Sequence, residues 1–150
     1  LGAGLNAHDM IRLRVRDVQI DSEGVLVRVT DSKFPREVPV LWKWEQPLVD
    51  LVDTRDHDDL VLGVARTTIN PNYLNYFISR TAPEAGLRPN SERLRNTWLL
   101  HHLNSGTPLG PLSVAAGLET FRTFEKLVRL LPEPTAEEVR RAMRRPLRAV

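Results

Sequence analysis

The chain contains no cysteine, which excludes a disulfide framework and a thiolate metal site. It also lacks any apolar run close to the roughly 18 residues of a membrane-spanning helix. No secretory signal peptide is visible either. These absences favour a cytoplasmic protein that has no membrane partner.

Patterns for metal binding are missing as well. The four histidines show no spacing with acidic partners that would bring several ligands to one ion. The acidic stretch at residues 53–59 lacks the glycine and the terminal glutamate of a calcium-binding loop, so it is interpreted as a solvated loop. The sequence therefore predicts neither a metal site nor a cofactor.

Aromatic residues are scarce, at 6% of the chain. We predict that the three tryptophans, Trp42, Trp44 and Trp98, pack in the core and do not serve as platforms for base stacking. The two tyrosines, Tyr73 and Tyr76, fall on one predicted helix. Any chemistry that needs a tyrosine elsewhere in the chain is therefore excluded.

The 150 residues, 41% of them hydrophobic, suffice for one domain with its own core. Because the chain opens on leucine and not methionine, we expect it to be a piece of a longer protein. The net charge is only +2, yet residues 91–150 hold 10 of the 21 basic side chains and 6 of the 19 acidic ones. This excess favours either a polyanion partner such as DNA or a solvated helix face, and charge alone leaves both open.

Hydrophobic spacing predicts a short first helix, a β-hairpin at residues 17–20 and 25–30, and a third strand at residues 36–41. Pro39 places that strand at the sheet edge. Helices are predicted for the rest of the chain, at residues 47–53, 70–86, 91–104, 112–116 and 120–131. The fold class is thus α+β and mainly helical, with a small three-stranded antiparallel sheet.

A rigid Pro-Glu-Pro break at residues 132–134 divides the chain into a domain at residues 1–131 and an arginine-rich helical tail at residues 132–150. Thr135 and Glu138 form a predicted capping box at the start of the tail helix. Pro146 is expected to end or kink that helix. Its apolar residues Val139, Met143 and Leu147 suit a protein contact, whereas its arginines suit DNA: Arg140, Arg141, Arg144, Arg145 and Arg148.

Several short motifs in this order resemble those of the tyrosine recombinases (phage integrases). The stretch Glu92-Arg93-Leu94-Arg95-Asn96-Thr97 is similar to the second box of that family, His-x-Leu-Arg-His-Thr. The stretch Gly4-Leu5-Asn6-Ala7-His8-Asp9-Met10 resembles the first box, Gly-Leu-Arg-x-x-Glu-Leu. Further landmarks follow at the usual separation: Ser32-Lys33, Arg36-Glu37-Val38-Pro39-Val40, Ser105-Gly106, Ala115-Ala116-Gly117-Leu118 and Thr123-Phe124-Glu125-Lys126-Leu127.

The resemblance implies a catalytic-domain fold of this family, with helices of the fold expected to precede residue 1. In the family, a tyrosine attacks a DNA phosphate, two arginines hold its oxygens, a lysine serves the leaving oxygen, and histidines transfer protons. Transferred one position at a time, Lys33 and Arg95 are retained. The first arginine is replaced by Asn6, the histidines by Glu92, Asn96 and Leu118, and the nucleophilic tyrosine by Leu127.

These replacements predict an inactive relative that keeps DNA binding in recombination, in integration or as an accessory protein. Such a protein would associate with the nucleoid if it is bacterial. The expected DNA contacts are Lys33, Arg36, Arg93, Arg95 and Arg122. Two alternatives stay open. The first is an active recombinase whose catalytic residues are displaced or supplied in trans, and the second is a protein-interaction module that no longer binds DNA. The C-terminal helix is the expected contact with a second copy or a recombinase partner.

Overall fold

A computed structural model describes residues 2–63, 68–80, 86 and 89–144. Within these residues, a short helix and a three-stranded sheet are followed by six helices. The strands are β1 (Val18–Asp21), β2 (Gly24–Val29) and β3 (Arg36–Pro39). The helices are α1 (Ala7–Met10), α2 (Gln46–Thr54), α3 (Pro71–Arg80), α4 (Ser91–Asn104), α5 (Leu109–Ala116), α6 (Arg122–Val128) and α7 (Ala136–Met143), with 3-10 turns at Val15–Asp17 and Trp42–Trp44.

The sheet is antiparallel, with the strand order β1-β2-β3. Alternate β2 residues (Val25, Val27 and Val29) are buried, as a strand with one covered face requires. Pro39 lies on the outer strand β3 and pairs with Leu26 of β2. Because β3 is an edge strand, the missing N–H of Pro39 breaks no hydrogen bond inside the sheet. The predicted α+β class, the three strands and the edge position of β3 are all confirmed.

The main core lies between the buried face of the sheet and helices α4, α5 and α6. Trp98 and Leu99 of α4 pack there with Leu112 of α5 and with Phe124 and Leu127 of α6. A smaller cluster joins α1 to α3 and to the segment after α2; its buried members are Ile11, Leu60, Ile69, Leu74 and Ile78.

Side chains cap three helices at the positions expected from the sequence. Asn90 accepts a hydrogen bond from the Arg93 backbone N–H at 2.8 Å and begins α4. Asn70 accepts one from the Asn72 N–H at 2.9 Å and begins α3. Thr135 and Glu138 form the predicted capping box of α7. These caps satisfy N–H groups that have no partner inside their helices.

Some predictions of burial are wrong. Trp98 is buried, but Trp42 is 83% exposed and Trp44 is 38% exposed. Both lie in the 3-10 turn Trp42–Trp44, which follows β3 and contacts α2. On α3, Phe77 is 55% exposed, because the helix buries only the narrow face that carries Leu74 and Ile78. Helices α5 and α6 also differ from their predicted limits, at Leu109–Ala116 and Arg122–Val128.

Helix α7 is exposed along its described length, with Val139 and Met143 at 45% and 83% exposure. The predicted contributions of Arg145, Pro146, Leu147 and Arg148 lie outside the described residues. None of the helices in the described part of the chain is long and apolar enough to cross a membrane.

Candidate nucleic-acid interface

Lys33 lies in the loop between β2 and β3. Its ammonium group forms an ion pair with the Glu119 carboxylate, which follows α5. It also lies 5.0 Å from the centre of the Phe34 ring. Both charged side chains are more than half exposed, so the pair is a weak surface contact that a stronger anion can replace.

Arg95 lies on α4 and points toward the N-terminal segment and the end of α5. Its guanidinium donates to the Gly4 carbonyl at 2.8 Å and to the Ala116 carbonyl. Burial lowers the pKa of Arg95; the nearby Arg36 charge acts in the same direction and Asp9 acts in the opposite one. The group still stays charged at any physiological pH, so it holds a positive charge in a poorly hydrated place.

Arg36 and Asp9 form a buried ion pair behind this position. The Nη2 of Arg36 lies 2.7 Å from Oδ2 of Asp9, and the two side chains are 3% and 1% exposed. Arg36 also donates to the Ala115 carbonyl at 2.9 Å and to the Phe34 carbonyl at 3.0 Å. Its guanidinium is thus enclosed by the fold. The prediction that Arg36 contacts DNA is not supported, because a phosphate has no access to a side chain buried to this extent.

The C-terminal end of α5 brings these basic side chains together. The carbonyls of Ala115 and Ala116 accept hydrogen bonds from Arg36 and Arg95, and Glu119 binds Lys33. The last carbonyls of a helix carry a partial negative charge and have no partners within it. Arg36 of β3 and Arg95 of α4 therefore meet at the α5 terminus, and Lys33 binds the Glu119 side chain three residues beyond it. We call Asp9, Arg36, Arg95 and the α5 terminus the buried charge cluster.

No protein-family model matches the chain. It is 23% identical over 146 residues to the tyrosine recombinase XerA of Thermococcus onnurineus (strain NA1), a match that covers 94% of this chain and 50% of that protein. It superposes on a crystal structure of XerA recombinase with a TM-score of 0.69, at 18% identity, over 98% of this chain and 54% of the other.

Two further structures with this fold are complexes, one with a substrate and one with DNA. XerH recombinase bound to its difH substrate matches with a TM-score of 0.66, at 16% identity, over 94% of this chain and 42% of the other. The integrase of transposon Tn1549, in complex with circular intermediate DNA, matches with a TM-score of 0.62, at 15% identity, over 96% of this chain and 54% of the other. The chain folds as a tyrosine recombinase-like domain. It spans about half the length of the relatives it matches.

The residues that the resemblance predicts as replacements of catalytic ones lie at exposed, half-buried and buried positions of the fold. Asn6 caps α1, where its side chain accepts from the Asp9 N–H at 2.8 Å. Glu92 is exposed in the first turn of α4, where a carboxylate is favourable beside the helix N-terminus. Asn96 and Leu118 are half-buried, and Leu118 packs against the main core. Leu127 is 4% exposed within that core.

The two tyrosines lie on α3, at a distance in sequence from the Leu127 position. The Tyr76 hydroxyl accepts a hydrogen bond from Arg80 at 2.9 Å, four residues later on the same helix. Tyr73 is half-buried beside the smaller core cluster. Their placement on α3 agrees with the helix expected for them from the sequence.

The other residues predicted to contact DNA are exposed. Arg93 lies in the first turn of α4, and Arg122 is the first residue of α6. Asp9 aligns with the acidic position of the first box but was not among the predicted site residues. That alignment was the signal in the sequence for its role, because a side-chain exposure of 1% cannot be predicted from a four-residue helix.

The His102 ring is half-buried and packs edge-on against Trp98, with 4.5 Å between the ring centroids. Burial lowers the pKa of His102, and the neighbouring His101 contributes in the same direction. In the described part of the chain, no three histidine, aspartate or glutamate side chains are grouped to hold a metal ion.

Proposed function

We propose that this domain binds the phosphate backbone of DNA in recombination or integration and does not cleave it. The observation that carries the proposal is Leu127. It occupies the position at which the resemblance expects a nucleophilic tyrosine, and its side chain is part of the core. A leucine has no hydroxyl to attack phosphorus, so a covalent protein–DNA intermediate cannot form at this position.

Support for phosphate binding comes from the two retained cations. Lys33 is 76% exposed and lies opposite a carboxylate. Arg95 has five N–H groups, and its two carbonyl contacts use one on each terminal nitrogen. Donors therefore remain for a phosphate oxygen. Asn6 supplies no second positive charge, and Glu92 adds a negative one. We therefore expect the domain to bind a DNA phosphate more weakly than a recombinase that cleaves DNA.

We expect no covalent adduct when the domain is incubated with a nicked suicide duplex. Such a substrate traps a phosphotyrosyl linkage, and denaturing gel electrophoresis with labelled DNA detects it as a shifted band. Tyr73→Phe and Tyr76→Phe are the matched controls for any band that appears. A band that disappears with one of them would establish an active recombinase with a displaced nucleophile. A band that appears only when a partner chain is added would establish that the partner supplies the tyrosine in trans.

Non-covalent binding to duplex DNA is expected to weaken steeply with salt, because each phosphate contact releases counterions. Lys33→Ala should reduce the magnitude of the slope of log K against log salt by about 1. Fluorescence anisotropy from 50 to 200 mM salt measures both quantities. Lys43→Ala is the matched control, because Lys43 also lies over an aromatic ring, that of Trp44 at 5.9 Å, on the turn after β3.

Binding that is absent at low salt would contradict the proposal and favour a protein-interaction module. The exposed apolar residues of α7, Val139 and Met143, are the observation that supports this second candidate. They also support contact with a second copy or a recombinase partner through α7. We further propose a cytoplasmic location, at the nucleoid if the protein is bacterial.

A further inference from the structure

A groove whose lining holds three arginines and two aspartates, Asp17 and Asp31, lies beside the β2–β3 loop. Its volume is about 540 Å³. Three arginines at alternate positions line it, Arg12, Arg14 and Arg16, together with Thr30 at the end of β2. Two buried apolar residues, Leu60 and Ile69, also line it. We call this feature the arginine groove.

The backbone beneath the arginines is held in place by a neighbouring segment. Val15 donates to the Asp59 carbonyl at 2.9 Å, and Arg16 donates to the His57 carbonyl at 2.9 Å. Val61 donates to the Leu13 carbonyl at 2.8 Å, and Arg14 and Leu60 form an antiparallel bridge. The arginines therefore project from a fixed base, which lowers the entropic cost of holding a ligand between them.

Among the described residues, two exposed carboxylates and one carbonyl contact the three guanidinium groups. Arg12 lies 3.4 Å from the Asp31 carboxylate, and Arg16 pairs with the Asp58 carboxylate. The two aspartates are 77% and 79% exposed. Arg14 donates to the Asp58 carbonyl. Surface ion pairs of this kind contribute little and are readily exchanged, whereas a phosphate offers several oxygens to the forked guanidinium.

The groove adjoins both parts of the candidate interface. Asp31, at its rim, is two residues from Lys33 in the same loop. Arg12 also lines a small cavity that reaches Asp9 of the buried charge cluster. Through residues 31–33, the arginine groove is continuous with the loop that carries Lys33.

We propose that the arginine groove is a second phosphate-binding site, which takes the next phosphates of the DNA backbone. This inference rests on the proposed function, because it assigns the phosphates to DNA. In the unbound protein, Asp31 and Asp58 hold the arginines, and a phosphate displaces these carboxylates on binding. Recognition is by charge and therefore independent of DNA sequence.

The test compares Arg12→Gln/Arg16→Gln with wild type in the same anisotropy titration of a mixed-sequence duplex. Two lost phosphate contacts should reduce the salt slope by roughly 2 and weaken binding at low salt by about tenfold. Lys43→Gln/Arg80→Gln removes the same charge from exposed sites elsewhere and should leave the slope unchanged. Thermal melting by circular dichroism verifies that each variant is folded.

A second measurement separates the groove from the proposed function. Titration of wild type with inorganic pyrophosphate should shift the side-chain Nε–Hε NMR signals of Arg12 and Arg16. Identical DNA binding by wild type and Arg12→Gln/Arg16→Gln would overturn the proposal that the arginine groove binds DNA. It would leave the proposed Lys33 site unaffected. Pyrophosphate shifts without any DNA binding would overturn the assignment to DNA. Absence of pyrophosphate shifts would overturn the groove as a phosphate site.

Discussion

Replacing Arg36 with alanine is expected to lower the free energy of unfolding by roughly 3–5 kcal/mol. The substitution leaves the Asp9 carboxylate, 1% exposed, without its positive partner. It also removes the donors for the Phe34 and Ala115 carbonyls. Since an ordinary domain is stable by only about 5–15 kcal/mol, this variant should unfold at much lower denaturant concentration, as measured by chemical denaturation with circular dichroism.

Arg28→Ala is the matched control for this prediction. Arg28 is also an arginine of the sheet and pairs with Glu37 at 2.8 Å, but both side chains are about half exposed. Its loss should therefore cost less than about 1 kcal/mol. Asp9→Leu/Arg36→Met should recover much of the stability, because it removes both charges together. Equal, small effects of Arg36→Ala and Arg28→Ala would contradict the role assigned to the buried pair.

Gly4→Ala is expected to destabilise the domain by about 2–5 kcal/mol, from backbone strain and overpacking together. Gly4 has a φ of +55°, which disfavours any Cβ. An added Cβ would also lie 2.2 Å from two ring atoms of Trp98, a side chain fixed in the core. The thermal midpoint and the denaturation midpoint should both fall.

Gly106→Ala separates the two causes. Gly106 has a φ of +73°, but nothing lies within 4 Å of an added Cβ. This variant should show the backbone cost alone, about 1–2 kcal/mol. If both alanine variants were equally stable, the close approach of Gly4 to Trp98 would carry no energetic weight.

The sequence predicted most of the fold because its local signals agree with one another. Alternating valines in β2, asparagines before α3 and α4, and the Thr135–Glu138 box each follow from the chemistry of a few neighbouring residues. Trp42 could not be predicted in the same way. Its exposure depends on which helices cover the end of β3, and that is a property of tertiary packing.

Prediction of the site was more limited for the same reason. Lys33 and Arg95 were selected through motifs, and their contacts with Glu119 and Ala116 lie 86 and 21 residues away in sequence. Arg36 was predicted as a DNA contact within the motif Arg36-Glu37-Val38-Pro39-Val40, and a motif does not show whether its arginine is buried. Only the folded chain shows that it pairs with Asp9. The arginine groove likewise depends on the pairing of residues 13–16 with residues 57–61.

The buried charge cluster makes the domain indivisible along its sequence. Arg36 connects a residue 27 positions earlier in the chain with a carbonyl 79 positions later. A fragment that stops before α5 would leave the guanidinium short of an acceptor, and one that starts after α1 would leave it without a counter-charge. Neither half can be tested for DNA binding by itself, and a growing chain completes the cluster only after α5 has emerged.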